Sequence, residues 1–408
     1  MNPPGFDAKD YAEQIVSLLW PGSGVSDGGS KTAGLLAFPS IRNARLLVPA
    51  ANRKVAVTAA RRYSVGTDVR SRLATAVLAQ GLRSGAAQWA ARRGCRLAGA
   101  TSGPDTITAR LREIVSPRCE VAVYVGLPRA NRKPVLLVVE PDGVLSAVAK
   151  LSVSPLSHRL IANEAAALVR CAAAPSAHVT AARVLFEGEW AGAALLVQSA
   201  LPEPAAEPSD AARRRELAAV EISRIGGIEQ HRLGSSAFVE ALEARIALLP
   251  DGDRALVSRA VARLREALPD VVFPVGSWHG DWTPWNAAAS RSGGMLVWDW
   301  ERFSPGVPAG FDALHYIAQA RARTAGDPAA GLEAARAHLD TALSPFDVSA
   351  DARLAVFALY LMEILVRYTE DGQARMAGGR RWVQALTAAV EGLLTDIVSQ
   401  SPQRWTAT

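Results

Sequence analysis

Lysine is scarce in this chain. Only five of its 45 basic residues are lysines, and the other 40 are arginines. After Lys133, the remaining residues contain a single lysine, Lys150. Because arginine serves wherever a generic positive charge suffices, a lone lysine indicates a position that needs a compact ammonium on a flexible stem.

Cysteines and long apolar runs are also few. The chain has three cysteines without C-x-x-C spacing, at positions 95, 119 and 171. We therefore expect reduced thiols in a cytoplasmic protein. The longest strongly apolar run, 354–366, contains a glutamate and is too short to span a bilayer. The acidic N-terminal residues lack the basic-then-apolar order of a signal peptide.

Charge is unevenly distributed. Residues 1–120 contain 17 basic and 8 acidic residues, whereas the rest contains 28 and 31. A basic N-terminal third is compatible with nucleic acid, an acidic membrane surface or an acidic partner. It is equally compatible with a solvated face or with packing against the rest of the chain. We do not expect a nucleic-acid partner, because no aromatic residues are interleaved with the basic ones.

Lys150 ends a predicted strand of an antiparallel sheet. Five strands are predicted, at 121–125, 135–139, 145–150, 184–187 and 194–198, with a Pro-Asp-Gly turn between the second and third. Glu164 follows Lys150 by fourteen residues, in an alanine-rich helical run. A carboxylate at this spacing would hold the lysine in position. The alternative is a surface lysine and an ordinary glutamate of a first helical turn.

The segment His-Gly-Asp-Trp-Thr-Pro-Trp-Asn, residues 279–286, contains the most specific pattern. It places Asp281 five residues before Asn286, and Pro284 argues against a helix between them. A tight turn and an apolar strand follow, and the strand ends at Asp299. We expect Asp299 to return within a metal ion's reach of Asn286, and an all-oxygen ligand set suits Mg2+.

These motifs resemble the catalytic and metal-binding segments of the aminoglycoside phosphotransferase and choline kinase group, within the protein-kinase-like fold. The resemblance covers about residues 120–400. It implies that Asp281 orients an acceptor hydroxyl and takes its proton, and that Asn286 and Asp299 hold Mg2+. It also implies that Lys150, paired with Glu164, meets the phosphates of ATP or GTP.

The same resemblance assigns supporting residues. His279 is expected to be a structural part of the loop, and Asp312 the buried carboxylate that braces it, unless Asp312 is an ordinary acid at a helix start. Glu301 would serve the metal or the acceptor, or form a salt bridge with an arginine such as Arg302. Residues from Gln198 to Leu201 would form the hinge that reads an adenine edge.

The predicted phosphate-covering loop departs from the family pattern. Residues 126–134 contain one glycine and two prolines, where protein kinases have G-x-G-x-x-G. Few backbone N–H groups would be free to bind phosphate. Arg129, Arg132 and Lys133 would supply charge instead, or this is a basic, solvent-exposed hairpin.

The predicted fold class is α+β, a two-lobed protein-kinase-like fold with an extra N-terminal segment. Its predicted parts are an N-terminal extension of unknown role at 1–118, an antiparallel-sheet N-lobe at 119–200 and a helical C-lobe at 201–400. The C-lobe shows helical periodicity over 209–266, 312–342 and 350–399. The extension contains a helix-like stretch at 72–92 and a Gly/Ser-rich, flexible stretch at 22–29. It would recognise substrate, bind a partner or brace the N-lobe.

The function that follows is transfer of the γ-phosphate of ATP to a hydroxyl of a small molecule that resembles an aminoglycoside, a sugar or an amino alcohol. One alternative is a pseudokinase-like binding module with a basic N-terminal partner-binding segment. Another is a nucleic-acid or membrane-surface binder acting through 1–120. Glu363, Glu370 and Asp371 would receive a cationic acceptor, or are surface acids. The acceptor and the oligomeric state stay open.

Overall fold

The computed structural model describes residues 8–21, 33–40, 43–63, 69–86, 96–98, 103–126 and 130–399. The chain divides into two compact units. Unit 1 consists of Met1–Ala165 with Ala182–Leu201, and unit 2 of Ala166–Ala181 with Pro202–Thr408. Unit 1 is built on an antiparallel sheet and unit 2 is mainly helical. The predicted α+β class is therefore confirmed.

The strands are short and lie in three sheets. They are β1 Ala33–Phe38, β2 Leu46–Pro49, β3 Arg96–Ala98, β4 Glu120–Tyr124, β5 Val135–Val139, β6 Leu145–Leu151, β7 Val179–Thr180, β8 Val184–Trp190, β9 Ala193–Ser199, β10 Glu229–Arg232, β11 Val272–Trp278, β12 Ala287–Ala289, β13 Met295–Val297 and β14 Ser304–Pro308.

The helices are concentrated in the second half of the chain. They are α1 Ala8–Leu19, α2 Arg53–Tyr63, α3 Val69–Ser84, α4 Ile107–Ile114, α5 Pro155–Ala173, α6 Ala211–Ser223, α7 Ala237–Ile246, α8 Asp251–Ala267, α9 Phe311–Ala325, α10 Pro328–Ala337, α11 Leu339–Leu343, α12 Arg353–Glu370 and α13 Ala377–Ser399.

The sheet of unit 1 contains eight strands in the order β3-β1-β2-β4-β5-β6-β9-β8. All five strands predicted from the sequence are present. The prediction of a five-stranded sheet was nevertheless wrong, because β1, β2 and β3 extend it beyond β4. The join is direct, since Leu47 of β2 pairs with Val123 of β4.

Helices cover both faces of this sheet. Along β5, Leu136 and Val138 pack in one core with α1 and α4, whereas Leu137 and Val139 pack in the other with α2 and α3. Successive residues of a strand point to opposite faces. A strand buried on both faces is apolar throughout, as Val-Leu-Leu-Val-Val is.

The N-terminal segment is therefore integral to unit 1. The predicted division at 118/119 does not coincide with a division between the units, because β2 and β4 belong to one sheet. The described part of this segment supplies three strands of the sheet and helices that pack on it. The stretch at 22–29 lies outside the described residues.

Unit 2 contains two small sheets among its helices. Their strand orders are β10-β11-β14 and β12-β13-β7. The predicted helical span 209–266 is interrupted by β10, which pairs with β11. The apolar run 354–366 lies inside the buried helix α12.

Two further expectations concern thiols and membranes. Cys119 and Cys171 are free thiols, and burial raises their pKa values to about 11 and about 12. Cys95 lies outside the described residues. Among those residues, no helix combines the length and the apolar character that crossing a bilayer requires.

Trp20 tests whether the N-terminal segment carries part of the core. Its side chain is fully buried and its indole N–H donates to Thr108 Oγ1 at 2.9 Å. We expect Trp20→Ala to lower the free energy of unfolding by about 3–5 kcal/mol, and Trp20→Phe by less. Urea unfolding followed by circular dichroism measures both, with the exposed Leu248→Ala as control. Wild-type stability in Trp20→Ala would show that this segment is dispensable.

Candidate active site

The His-Gly-Asp loop begins where β11 ends, in unit 2. The side chain of Asp312, in the first turn of α9, accepts hydrogen bonds from the backbone of this loop. Its Oδ2 accepts the N–H of His279 at 2.6 Å and its Oδ1 accepts that of Gly280 at 3.1 Å. Burial raises the pKa of Asp312 to about 7, against the lowering effect of these two bonds and of Arg367. Asp312 thus lies where a loop brace was predicted.

Gly280 has a backbone conformation that only glycine adopts readily. Its φ is +80°, and a Cβ atom there would lie 2.1 Å from the carbonyl oxygen of Arg302. Its own carbonyl accepts a hydrogen bond of 2.7 Å from Arg367 Nη1. Arg367 projects from α12 and lies over the ring of Trp278, 5.2 Å from its centroid. The loop backbone is therefore held at its N–H groups by a carboxyl group and at the Gly280 carbonyl by a guanidinium.

His279 is fully buried and fixed in one tautomer. Its Nδ1 accepts the N–H of Asp281 at 3.2 Å, so its Nε2 carries the proton and donates to the carbonyl of Trp298 at 3.1 Å. The rings of Trp282 and Trp300 pack against it edge-on. Burial lowers the pKa of His279 to about 4, so the imidazole is neutral at pH 7. This is the geometry of a structural histidine.

Asp281 and Asn286 are joined by direct hydrogen bonds. Asn286 Nδ2 donates to the backbone carbonyl of Asp281 at 2.9 Å and to its Oδ2 at 2.8 Å. Because both bonds are made by the amide nitrogen, the amide oxygen is directed away from Asp281. The Asp281 side chain remains 34% exposed. Burial alone would raise its pKa, but His315 and Arg367 outweigh that effect and lower it.

A short hairpin returns the chain from Asn286 to Asp299, as predicted. β12 pairs with β13, and the N–H of Trp298 donates to the carbonyl of Asn286 at 3.1 Å. Trp298 therefore lies opposite Asn286, and Asp299 is the next residue. It has φ 69° and ψ 52°, a left-handed conformation that is uncommon outside glycine but tolerated by Asp. Glu301 is buried in the next turn.

The oxygen atoms of this hairpin suit a hard cation. The Asn286 amide oxygen and the Asp299 carboxylate are oxygen ligands of the kind that Mg2+ takes. The two hydrogen bonds of the Asn286 amide nitrogen leave its oxygen available to coordinate a cation. The residues present are therefore compatible with the predicted magnesium site.

In unit 1, Lys150 and Glu164 form the predicted pair. Lys150 Nζ lies 2.6 Å from Glu164 Oε1 and 2.7 Å from Oε2. Both residues are buried, Lys150 on β6 and Glu164 on α5. The alternative of a surface lysine is excluded.

Gln198, the first residue of the predicted hinge, lies within a strand. Gln198 is buried within β9, opposite Val148 of β6 and Val184 of β8. Its place is therefore in the sheet and not in the connection that follows it. Leu201 lies beyond the strand, and its carbonyl accepts a hydrogen bond of 3.5 Å from Arg62 Nη2.

In the described part of the connection between β4 and β5, the two basic residues are buried. Arg132 and Lys133 are 8% and 9% exposed. Arg132 Nε donates to the carbonyl of Val125 and its Nη2 to that of Gly126, both at 3.0 Å. Arg132 therefore closes the connection, and burial lowers its pKa to about 10. Arg129 lies outside the described residues.

The three acids suggested for a cationic acceptor take part in ion pairs. Arg245 donates to Glu363 at 2.6 Å and to Glu370 at 2.8 Å. Arg302, one suggested partner of Glu301, pairs with Asp371 at 2.5 Å. We therefore do not assign these carboxylates to an acceptor.

The chain matches no protein-family model and no curated protein. It is similar to several solved structures. A thermostable mutant of aminoglycoside phosphotransferase APH(4)-Ia has a TM-score of 0.46 and 14% identity, over 72% of this chain and 100% of that one. The GDP and kanamycin complex of APH(2")-IIia has 0.42 and 14%, over 71% and 98%. A putative fructosamine-3-kinase from Haemophilus somnus 129PT has 0.39 and 13%, over 72% and 96%.

Two residues of this site were missed by the sequence analysis. Arg367 holds the Gly280 carbonyl, and His315 Nε2 lies 3.5 Å from Asp281 Oδ1. Each had a signal. His315 follows Asp312 by three residues and so shares its helix face. Arg367 directly follows the apolar run 354–366.

Asp312→Ala tests the brace. The substitution would leave two buried N–H groups without acceptors, each at a cost of about 1–3 kcal/mol. We expect lower stability and faster hydrogen exchange at His279 and Gly280, and smaller effects for Asp312→Asn, which keeps an acceptor oxygen. Asp327→Ala, which removes an exposed helix cap, is the control and should cost about 1 kcal/mol. Wild-type exchange at both amides in Asp312→Ala would refute the brace.

Proposed function

We propose that this protein is an ATP- and Mg2+-dependent phosphotransferase that moves the γ-phosphate to a hydroxyl of a small molecule. One observation carries the proposal. Asp281 presents a partly exposed carboxylate whose Oδ2 and backbone carbonyl are both bound by the Asn286 amide. Phosphoryl transfer asks for little covalent chemistry from the protein, so a fixed carboxylate beside a metal ligand is the arrangement it needs.

Asp281 would hydrogen-bond the acceptor hydroxyl, orient it and take its proton as the new bond to phosphorus forms. Its lowered pKa supports this role, since the carboxylate is ionised at neutral pH and can accept a proton. His279 is neutral and both ring nitrogens already have partners, so it serves to orient Asp281.

Asn286 and Asp299 would hold Mg2+, which when bound neutralises charge on the phosphate oxygens. In unit 1, Lys150 would neutralise the α- and β-phosphates, positioned by both oxygens of Glu164. The residues of the predicted hinge beyond β9, as far as Leu201, would meet the adenine or guanine edge. The proposed acceptor is the one predicted from the sequence, a hydroxyl compound that resembles an aminoglycoside, a sugar or an amino alcohol.

Asp281→Asn tests the proposed base. We expect phosphate transfer to fall by about 10²–10⁴-fold, because the amide cannot take the proton, with nucleotide affinity preserved. The measurement is transfer from ATP with Mg2+ to a panel of aminoglycosides, sugars and amino alcohols. Asp327→Asn is the surface control. Nucleotide binding without turnover on any acceptor would favour the pseudokinase-like alternative, and absence of both would sink the enzyme proposal.

Lys150→Met tests the nucleotide role. We expect loss of the thermal shift caused by Mg-ATP, whereas Lys54→Met on the exposed start of α2 should retain it. Removing one partner of a buried ion pair costs about 3–5 kcal/mol, so the double variant Lys150→Met/Glu164→Gln separates folding from binding. A full nucleotide shift in the stable double variant would exclude Lys150 as a phosphate ligand.

A further inference from the structure

His315 is a buried histidine that faces the candidate base. It is fully buried on α9, and its Nε2 has no hydrogen-bond partner among the described residues. Asp281 Oδ1 lies 3.5 Å from this nitrogen, slightly beyond the length of an ordinary hydrogen bond. A buried N–H without an acceptor is unfavourable. Asp281 Oδ1 is therefore the acceptor to consider for a proton on His315 Nε2.

Tyr360 and Asp281 together favour one tautomer of His315. The Tyr360 hydroxyl lies 3.1 Å from His315 Nδ1. If Nδ1 carried the proton, the lone pair of Nε2 would face the Asp281 carboxylate and repel it. The favourable arrangement has the tyrosine hydroxyl donating to Nδ1 and the Nε2–H directed at Asp281 Oδ1.

The surroundings of His315 and Tyr360 keep both side chains uncharged. Burial lowers the pKa of His315, and Arg367 acts in the same direction, although Asp281 opposes them. Burial raises the pKa of Tyr360 well above its ordinary value, so its hydroxyl remains a donor. The ring of Trp278 packs edge-on against His315, 6.5 Å between centroids, and limits its rotation.

We propose that His315 is a positioning residue for Asp281. Its Nε2–H, favoured by the Tyr360 hydroxyl at Nδ1, holds Oδ1 of Asp281, while Asn286 holds Oδ2. The two oxygens of the candidate base are then each restrained by a neutral donor from a different element. The 3.5 Å contact shortens to a hydrogen bond when the hydroxyl substrate is bound, as contacts in ligand-free sites commonly do. This inference rests on the proposed function for its effect on turnover, but its geometry can be tested without any acceptor.

The geometric test is nitrogen NMR of the full chain labelled in histidine, with the His315→Gln spectrum assigning the resonance. We expect a neutral imidazole protonated at Nε2, whose Nε2 shift changes in Asp281→Ala and stays unchanged in Asp327→Ala. An Nδ1-protonated ring, or a resonance that does not respond to Asp281→Ala, would overturn the proposal whether or not the protein transfers phosphate.

The kinetic test compares His315→Leu with His315→Gln. We expect His315→Leu to lower kcat by about 100-fold with the KM for ATP unchanged, because the base loses its orientation. His315→Gln retains an N–H donor and should recover most of this loss, and Tyr360→Phe should fall between them. Leu314→Val, a buried change in the same helix, should lower Tm without lowering kcat.

The outcomes separate the two proposals. An inactive wild type with the expected NMR response contradicts the phosphotransferase function and leaves the His315–Asp281 pairing supported. An active wild type in which His315→Leu has the wild-type kcat contradicts the positioning role alone. A loss of kcat that merely follows Tm across all variants, Leu314→Val included, also overturns the positioning role.

Discussion

The candidate site of unit 2 depends on one buried carboxylate. Asp312 accepts two consecutive N–H groups of the loop that carries Asp281. The carbonyl of Gly280, a residue with positive φ, accepts from Arg367. Without the brace, the backbone would have buried polar groups without partners, and Asp281 would lose the orientation that proton transfer needs.

The two units restrain their charged side chains in different ways. In unit 1, Lys150 and Glu164 neutralise each other over two short contacts, so a cation is kept ready within a sheet covered on both faces. In unit 2, Asp281 is restrained largely by neutral donors from Asn286 and, in our proposal, His315. A neutral donor restrains a carboxylate without forming an ion pair that would weaken it as a base.

The sequence predicted those parts of the fold and site that local patterns encode. Lys150, Glu164 and the hairpin from Asn286 to Asp299 could be placed because strand patterns and spacing fix them. β11, which leads into the loop, was missed because Pro274 and Gly276 interrupt its pattern. Gly276 is needed there, since a Cβ atom would lie 2.1 Å from the carbonyl oxygen of Ser223. Spacing places His315 on the helix face of Asp312, but the contacts of His315 and Arg367 depend on how the helices pack, which spacing does not specify.

The most direct test of the central claim is a crystal structure of the full chain with a non-hydrolysable ATP analogue and Mg2+. We expect the metal to be bound by the Asn286 amide oxygen and the Asp299 carboxylate, with Asp281 still hydrogen-bonded to the Asn286 amide nitrogen. We also expect Lys150 to contact phosphate oxygens. A metal bound elsewhere, or a nucleotide that leaves Lys150 and Asp299 without contact, would contradict the assignment of this site to phosphoryl transfer.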